Sequence, residues 1–195
     1  MPGLLSHVRR THERLLHPLR RRKALEALRR RTRPQRLLVV CYGNICRSPV
    51  AAALLRRELT PLGIEVQSAG LIGFNRPAPA EAVNAAQRCG VDLSSHYSRL
   101  VTVDALRTAD LIVVMEPSQR RHICERFGLP PSNVMVLGDF DPAGVNTRAI
   151  RDPVDQHGDV FDQVYERIAR CVRELVNGLG SAGTLPTAAS VASGP

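Results

Sequence analysis

The hydrophobic pattern of this chain alternates between two periods. Leu37-Leu38-Val39-Val40 is a short, wholly apolar run, the signature of a strand buried on both faces. Pro49 to Arg56 then reads as a helix, and Val66 to Ala69 as a second strand. Ala80 to Arg88 is helical, with Gly90 as its C-cap glycine. Leu111 to Met115 is a third strand, Pro117 to Phe127 a helix, and Val134 to Leu137 a fourth strand. A long helix closes the series from Asp159 to Val176, with Phe161, Val164, Ile168, Val172 and Leu175 at helical spacing. Strands alternating with helices predict a single α/β domain, a central four-stranded parallel sheet flanked by helices on both faces. In such sheets ligands bind beyond the carboxyl ends of the strands.

Both ends of the chain fall outside that alternation. In residues 1–35, Leu4, Val8, Leu15 and Leu19 lie near one helical face, but Pro18 interrupts it. This segment predicts a basic extension, partly helical or disordered, ahead of a domain spanning 36–177. Residues 178–195 are rich in Gly, Ala, Ser and Thr and predict a disordered tail.

Charge sharpens this division. The net charge is +9, yet residues 1–36 hold twelve Arg and Lys against two acids and carry +10, leaving −1 for the rest. The body is nearly neutral, so an argument for an anionic surface rests on the arm alone, and no specific nucleic-acid site is expected. No stretch reaches the roughly 18 apolar residues of a membrane-spanning helix, and the start lacks the apolar core of a signal peptide. The five cysteines, Cys41, Cys46, Cys89, Cys124 and Cys171, are odd in number and scattered, which predicts free thiols in a reducing cytoplasm. Lys23 is the single lysine among 27 basic residues, a bias that fits a GC-rich bacterial genome.

Candidate chemistry concentrates in Cys41-Tyr42-Gly43-Asn44-Ile45-Cys46-Arg47-Ser48-Pro49, at the end of the first strand. Ser48 is suited to N-cap a helix and Pro49 to be its first residue. A helix start there favours an anion through its free N–H groups and dipole. Gly43 allows unusual backbone angles and Asn44 tolerates a left-handed one, so successive N–H groups can turn inward as a nest. Arg47 offers a planar fork for two phosphate oxygens. A cysteine at the mouth of such a nest is favoured as its thiolate, a nucleophile beneath a bound phosphate. The absence of Gly-Lys-Ser/Thr excludes a nucleotide P-loop.

This stretch resembles the signature of the low-molecular-weight protein tyrosine phosphatases. The resemblance continues through Val66–Gly70, Gly90–Arg99, Ala109–Glu116 and Ile150–Pro153, covering about residues 36–177. It implies a flavodoxin-like fold, and Cys41 as the nucleophile that forms a cysteinyl-phosphate. It implies that Arg47 binds the phosphate, and that the N–H groups of Tyr42, Gly43, Asn44, Ile45, Cys46, Arg47 and Ser48 line its cradle. Ser48 then supports the Cys41 thiolate, while Asn44 and His96 hold the loop in shape. Two Asp-Pro steps compete for general acid, Asp141-Pro142 and Asp152-Pro153. The family's acid precedes its last helix in an Ile-x-Asp-Pro step, which Asp152 fits and Asp141 does not. For Cys46 the residues leave two readings, loop packing and a resolving thiol that traps oxidised Cys41, and the resemblance implies the second. The implied cycle uses no cofactor or metal. The implied partner is a phosphotyrosine protein, with bacterial relatives opposing tyrosine kinases; the basic arm would place the enzyme peripherally on a membrane.

The chain departs from the family where many members carry tyrosines after the Asp-Pro step. Val154-Asp155 stands there instead, and Phe74 is a candidate for the opposite wall of the pocket. Three other readings compete. An arsenate reductase relay needs two further, closely spaced cysteines, whereas Cys89 and Cys124 are 35 residues apart. A protein-arginine phosphatase tends to carry threonine where this chain has Ile45. A phosphate-binding module needs neither a nucleophile nor an acid.

Overall fold

The computed structural model describes residues 2–180, with side chains from Thr11 onward. Four parallel strands form one sheet: β1 (Arg36–Cys41), β2 (Glu65–Gly70), β3 (Leu111–Val114) and β4 (Val134–Val136), in the order β2-β1-β3-β4. Leu37 pairs with Val66 on one side and Leu111 on the other. The helices are α1 (Pro2–Arg29), α2 (Arg47–Leu59), α3 (Ala80–Arg88), α4 (Val103–Thr108), α5 (Pro117–Phe127) and α6 (Gly158–Gly180).

The two-residue period of the strands divides the interior. Leu37, Val39 and Cys41 point into one core with Val50, Leu55 and Ile168, so α2, α3 and α6 cover that face. Leu38 and Val40 point into the other with Leu106 of α4 and Ile123 of α5. The short apolar runs follow from this, because a strand covered on both faces has no polar side.

Several elements differ from the sequence-based expectation. α4 has no long periodic pattern and starts on Thr102, whose hydroxyl accepts the Ala105 N–H at 3.1 Å. β4 stops at Val136, and Leu137–Phe140 tighten into a 3-10 turn. α6 runs on through residues 178–180, while the rest of the expected tail, 181–195, lies outside the described residues. The largest difference is α1, one continuous helix through Pro18. The face with Leu15 and Leu19 stays outside the core: Leu15 is 74% and Leu19 40% exposed. His17 and Leu28 are buried instead, with Leu25 partly buried beside them. Gly178 accommodates this contact, since a Cβ there would come within 2.8 Å of Leu28 Cδ2. Lys23 lies exposed on the same helix. Among the described residues no helix is long and apolar enough to cross a membrane.

Candidate active site

β1 delivers Cys41 to the carboxyl edge of the sheet, and the chain turns at once into α2. The Cys41 thiol is buried and meets two donors, the Ser48 hydroxyl at 3.0 Å and the Asn44 N–H at 3.2 Å. The expected N-cap is corrected here. α2 begins at Arg47 with Cys46 in the cap position, so Ser48 lies inside the first turn with its hydroxyl turned to Cys41. Pro49, in that same turn, loses nothing by its missing N–H.

Asn44 is the left-handed residue of the loop, with φ 51°. Gly43 is needed for a different reason from the one expected. Arg76 Nη2 donates to the Gly43 carbonyl at 3.1 Å, and a Cβ on Gly43 would meet that nitrogen at 2.7 Å. Asn44 uses its whole side chain: Nδ2 donates to Ser48 Oγ at 2.9 Å and Ser68 Oγ at 3.0 Å, and Oδ1 accepts the Arg99 N–H at 2.9 Å. His96 Nε2 reaches the Asn44 carbonyl at 2.7 Å. That carbonyl can only accept, so Nε2 carries the hydrogen. Burial lowers the His96 pKa below its ordinary 6.5, as do Arg56 and Arg99, against the raising effect of the Asn44 bond.

Arg47 is 1% exposed. Its Nη1 donates to Glu116 Oε1 at 2.6 Å and to the Ile150 carbonyl at 3.0 Å, and its Nη2 pairs with Asp152 Oδ2. Its Nε is buried without a hydrogen-bond partner. Asp152 therefore meets the loop, and its exposed carboxylate can also reach solvent. Asp141 cannot serve: it is fully buried between Arg167, at 2.9 Å, and Arg170, at 2.8 Å.

Glu116, Ser68, Arg76 and Arg99 were not identified from the sequence as site residues. Ser68 lies in β2 and the other three in separate connecting segments, and no spacing links them to Cys41. Tyr42 was expected only for its N–H. Its exposed ring lines a cavity of about 600 Å³ with Ile72 and His122, and this cavity reaches Glu116. Phe74 lines another cavity, of about 720 Å³, with Tyr97, His96 and Arg99. Val154 packs partly into the core, and Asp155 is exposed with φ 61°. Cys46 is buried beside the loop, its carbonyl receiving the Tyr165 hydroxyl at 3.3 Å. Burial pushes the Cys46 thiol strongly up, with Cys41 and Asp152 adding to it. Cys89 packs on one face of the sheet and Cys124 on the other, which separates the two thiols an arsenate relay would need. Among the described residues no cluster of His, Cys, Asp or Glu is arranged to hold a metal ion.

A family model described as "Low molecular weight phosphotyrosine protein phosphatase" matches residues 36–184. The low molecular weight protein-tyrosine-phosphatase Etp of Escherichia coli K12 is 37% identical over 142 residues, 71% of this chain and 90% of that protein. The crystal structure of the Erwinia amylovora tyrosine phosphatase AmsI superposes with a TM-score of 0.66 at 31% identity, covering 74% of this chain and 92% of that one. The YwlE arginine phosphatase from Geobacillus stearothermophilus superposes with a TM-score of 0.67 at 29% identity, covering 75% and 94%.

Proposed function

The chain belongs to the low-molecular-weight phosphotyrosine protein phosphatase family, and on that premise we propose that it hydrolyses protein phosphotyrosine through a phosphocysteine on Cys41. The carrying observation is the Cys41 thiol, held by the Ser48 hydroxyl and the Asn44 N–H in the loop that carries Arg47, whose guanidinium pairs with Asp152. Both donors aim their hydrogens at Sγ. Sγ attacks phosphorus; the S–P bond forms as the bond to the phenolic oxygen breaks. Asp152 gives that oxygen its proton. Arg47 and the loop N–H groups from Tyr42 to Ser48 hold the three remaining oxygens as charge develops on them. In the second step the Asp152 carboxylate takes a proton from water, whose oxygen displaces Cys41 and releases inorganic phosphate.

Ile45 supports the tyrosine ester over the phosphoarginine reading, and hydrolysis of matched phosphotyrosine and phosphoarginine peptides compares them directly. For Cys41 and Cys46 we propose a reversible disulfide after oxidation of Cys41, so peroxide inactivation reversed by dithiothreitol in the wild type becomes irreversible in Cys46→Ser. We also propose a cytoplasmic enzyme opposing a bacterial tyrosine kinase. The outward face of α1, with exposed Leu15 and Leu19 among arginines, suits an anionic membrane. Co-sedimentation with anionic vesicles that Leu15→Asp leaves unchanged would sink the membrane role.

The chemistry is tested by metal-free hydrolysis of an aryl phosphate. Cys41→Ser is expected to be inactive, and Asp152→Ala to lose roughly 10²–10⁴-fold, the scale of general acid catalysis. A Cys41→Ser enzyme that keeps its rate overturns the reading.

A further inference from the structure

α1 precedes the family-matched region, which begins at residue 36. Its inner face nevertheless meets the stretch of chain that leads to Asp152. Leu25 and Leu28 sit on Gly178, and Arg21 pairs with Glu174. His17 Nε2 donates to the Asp141 carbonyl at 2.8 Å. Arg14 Nε lies 3.8 Å from where a Gly144 Cβ would be, and Glu13 adds to the field on Arg148.

The receiving segment is tied down at each step toward the acid. The Asp141 carboxylate is held by Arg167 and Arg170. Arg167 reaches on to the carbonyls of Thr147, at 2.7 Å, and Ala149, at 2.9 Å. Arg148 grips Asp139 through two bonds, at 2.7 and 2.6 Å. Ile150 donates its N–H to Met115 and accepts Arg47 on its carbonyl, two residues before Asp152. An irregular segment of this kind opens easily unless its backbone is pinned, and a catalytic group displaced by about an ångström loses much of its effect.

His17 is the informative residue. It is buried, yet its Nδ1 has no hydrogen-bond partner. An apolar side chain would fill the place without that desolvation cost. What only a hydrogen-bond donor supplies there is the grip on the Asp141 carbonyl.

We propose that α1 positions the general acid: His17, bonded to the Asp141 carbonyl, holds the 141–152 segment and with it Asp152 against the phosphate loop. The inference rests on the reading of Asp152 as the acid. Loosening α1 then impairs phosphoenzyme formation only for esters whose leaving oxygen needs a proton, while water attack on the phosphocysteine, where the same carboxylate is the base, slows equally for every ester.

The test uses the full chain and two esters, phenyl phosphate, whose weakly acidic phenol needs protonation, and a dinitrophenyl phosphate, whose phenolate leaves unaided. In the first turnover, where the release of phenol reads phosphoenzyme formation alone, His17→Ala is expected to lose roughly ten-fold or more on phenyl phosphate, the scale of a misplaced catalytic group. Substrate affinity in that phase should hold within about two-fold, because ground-state binding is untouched. The dinitrophenyl ester should release its phenolate in the first turnover at the wild-type rate. His17→Gln, whose amide can donate to the same carbonyl, should restore phenyl phosphate hydrolysis. Arg21→Glu sets two carboxylates against each other at Glu174, a repulsion that goes beyond losing the pair, and should show the same selective loss; adding Glu174→Arg should reverse it, which decides the matter where His17→Ala does not fold. Asp152→Ala is the control. If it lacks this leaving-group dependence, the acid assignment fails whatever α1 does. If it shows it, equal losses on both esters in the α1 variants, or no loss, overturn the proposal.

Discussion

At Asn44 the backbone turns left-handed and every polar atom of the side chain finds a partner, which fixes the curvature of the loop around Cys41. Gly70, at the end of the neighbouring strand, sits against this turn. A Cβ on Gly70 would come within 3.0 Å of the Asn44 nitrogen and Cβ and of the Gly43 carbonyl carbon. Backbone cannot step aside as a flexible side chain can, so Gly70→Ala should press the loop out of shape. The expected result is a cost of about 1–3 kcal/mol in urea denaturation, as for other overpacked sites, with a weakened competitive inhibition by inorganic phosphate. His96 supports the same loop and gives it a pH dependence. Its folded pKa lies below 6.5, so the fold favours the neutral ring. That contribution is complete above about pH 6.5 and is lost as pH falls through the folded value. The wild-type urea midpoint should therefore fall more steeply than that of His96→Gln between about pH 7 and pH 5. Much of this site was legible, because Cys41, Asn44, Arg47 and Ser48 lie within eight residues whose spacing carries chemistry. Glu116 and Arg76 were not, since only the fold brings them to Arg47 and Gly43.

Among the elements, the strands were legible because burial on both faces leaves four-residue apolar runs such as Leu111–Val114. α1 was not, for a physical reason. Its inner face mixes His17 and Arg21 with Leu25 and Leu28, and two of these four interact through polar atoms. The more apolar face, with Leu15 and Leu19, points outward. Magnitudes decide what holds the helix in place. The Arg21–Glu174 pair is partly exposed and worth about 0–1 kcal/mol, whereas burying Leu28 contributes about 1.5–3 kcal/mol. Packing therefore dominates, and offsets Pro18, which breaks one helical hydrogen bond. Leu28→Ala should cost about 2–5 kcal/mol by urea denaturation, more than Arg21→Ala.

For the molecule as a whole, the charges fall into two groups. The surface excess belongs to the first 36 residues, while buried ion pairs knit the other end of the sheet to α6. Burial alone would raise the Asp141 carboxyl, but bonds from Arg170, Ala143 and Arg167 bring it below its ordinary value. Asp141→Ala takes the buried carboxylate away from Arg167 and Arg170 and should cost about 3–5 kcal/mol, read as a fall in the thermal midpoint. By releasing one anchor of the segment that leads to Asp152, the same substitution should also slow phosphoenzyme formation from phenyl phosphate more than from a dinitrophenyl ester at temperatures where the fold persists.

Lys23 gives α1 a reporter of its own. It is the single lysine of the chain and lies in the C-terminal third of that helix. A lysine-specific protease therefore has one peptide bond to cut, Lys23–Ala24, and a helical backbone must open before a protease can hold it. When reclosing outruns cleavage, the digestion rate measures the free energy of that opening. One band converting to two on a gel would thus report how firmly the helix is seated, independent of any turnover.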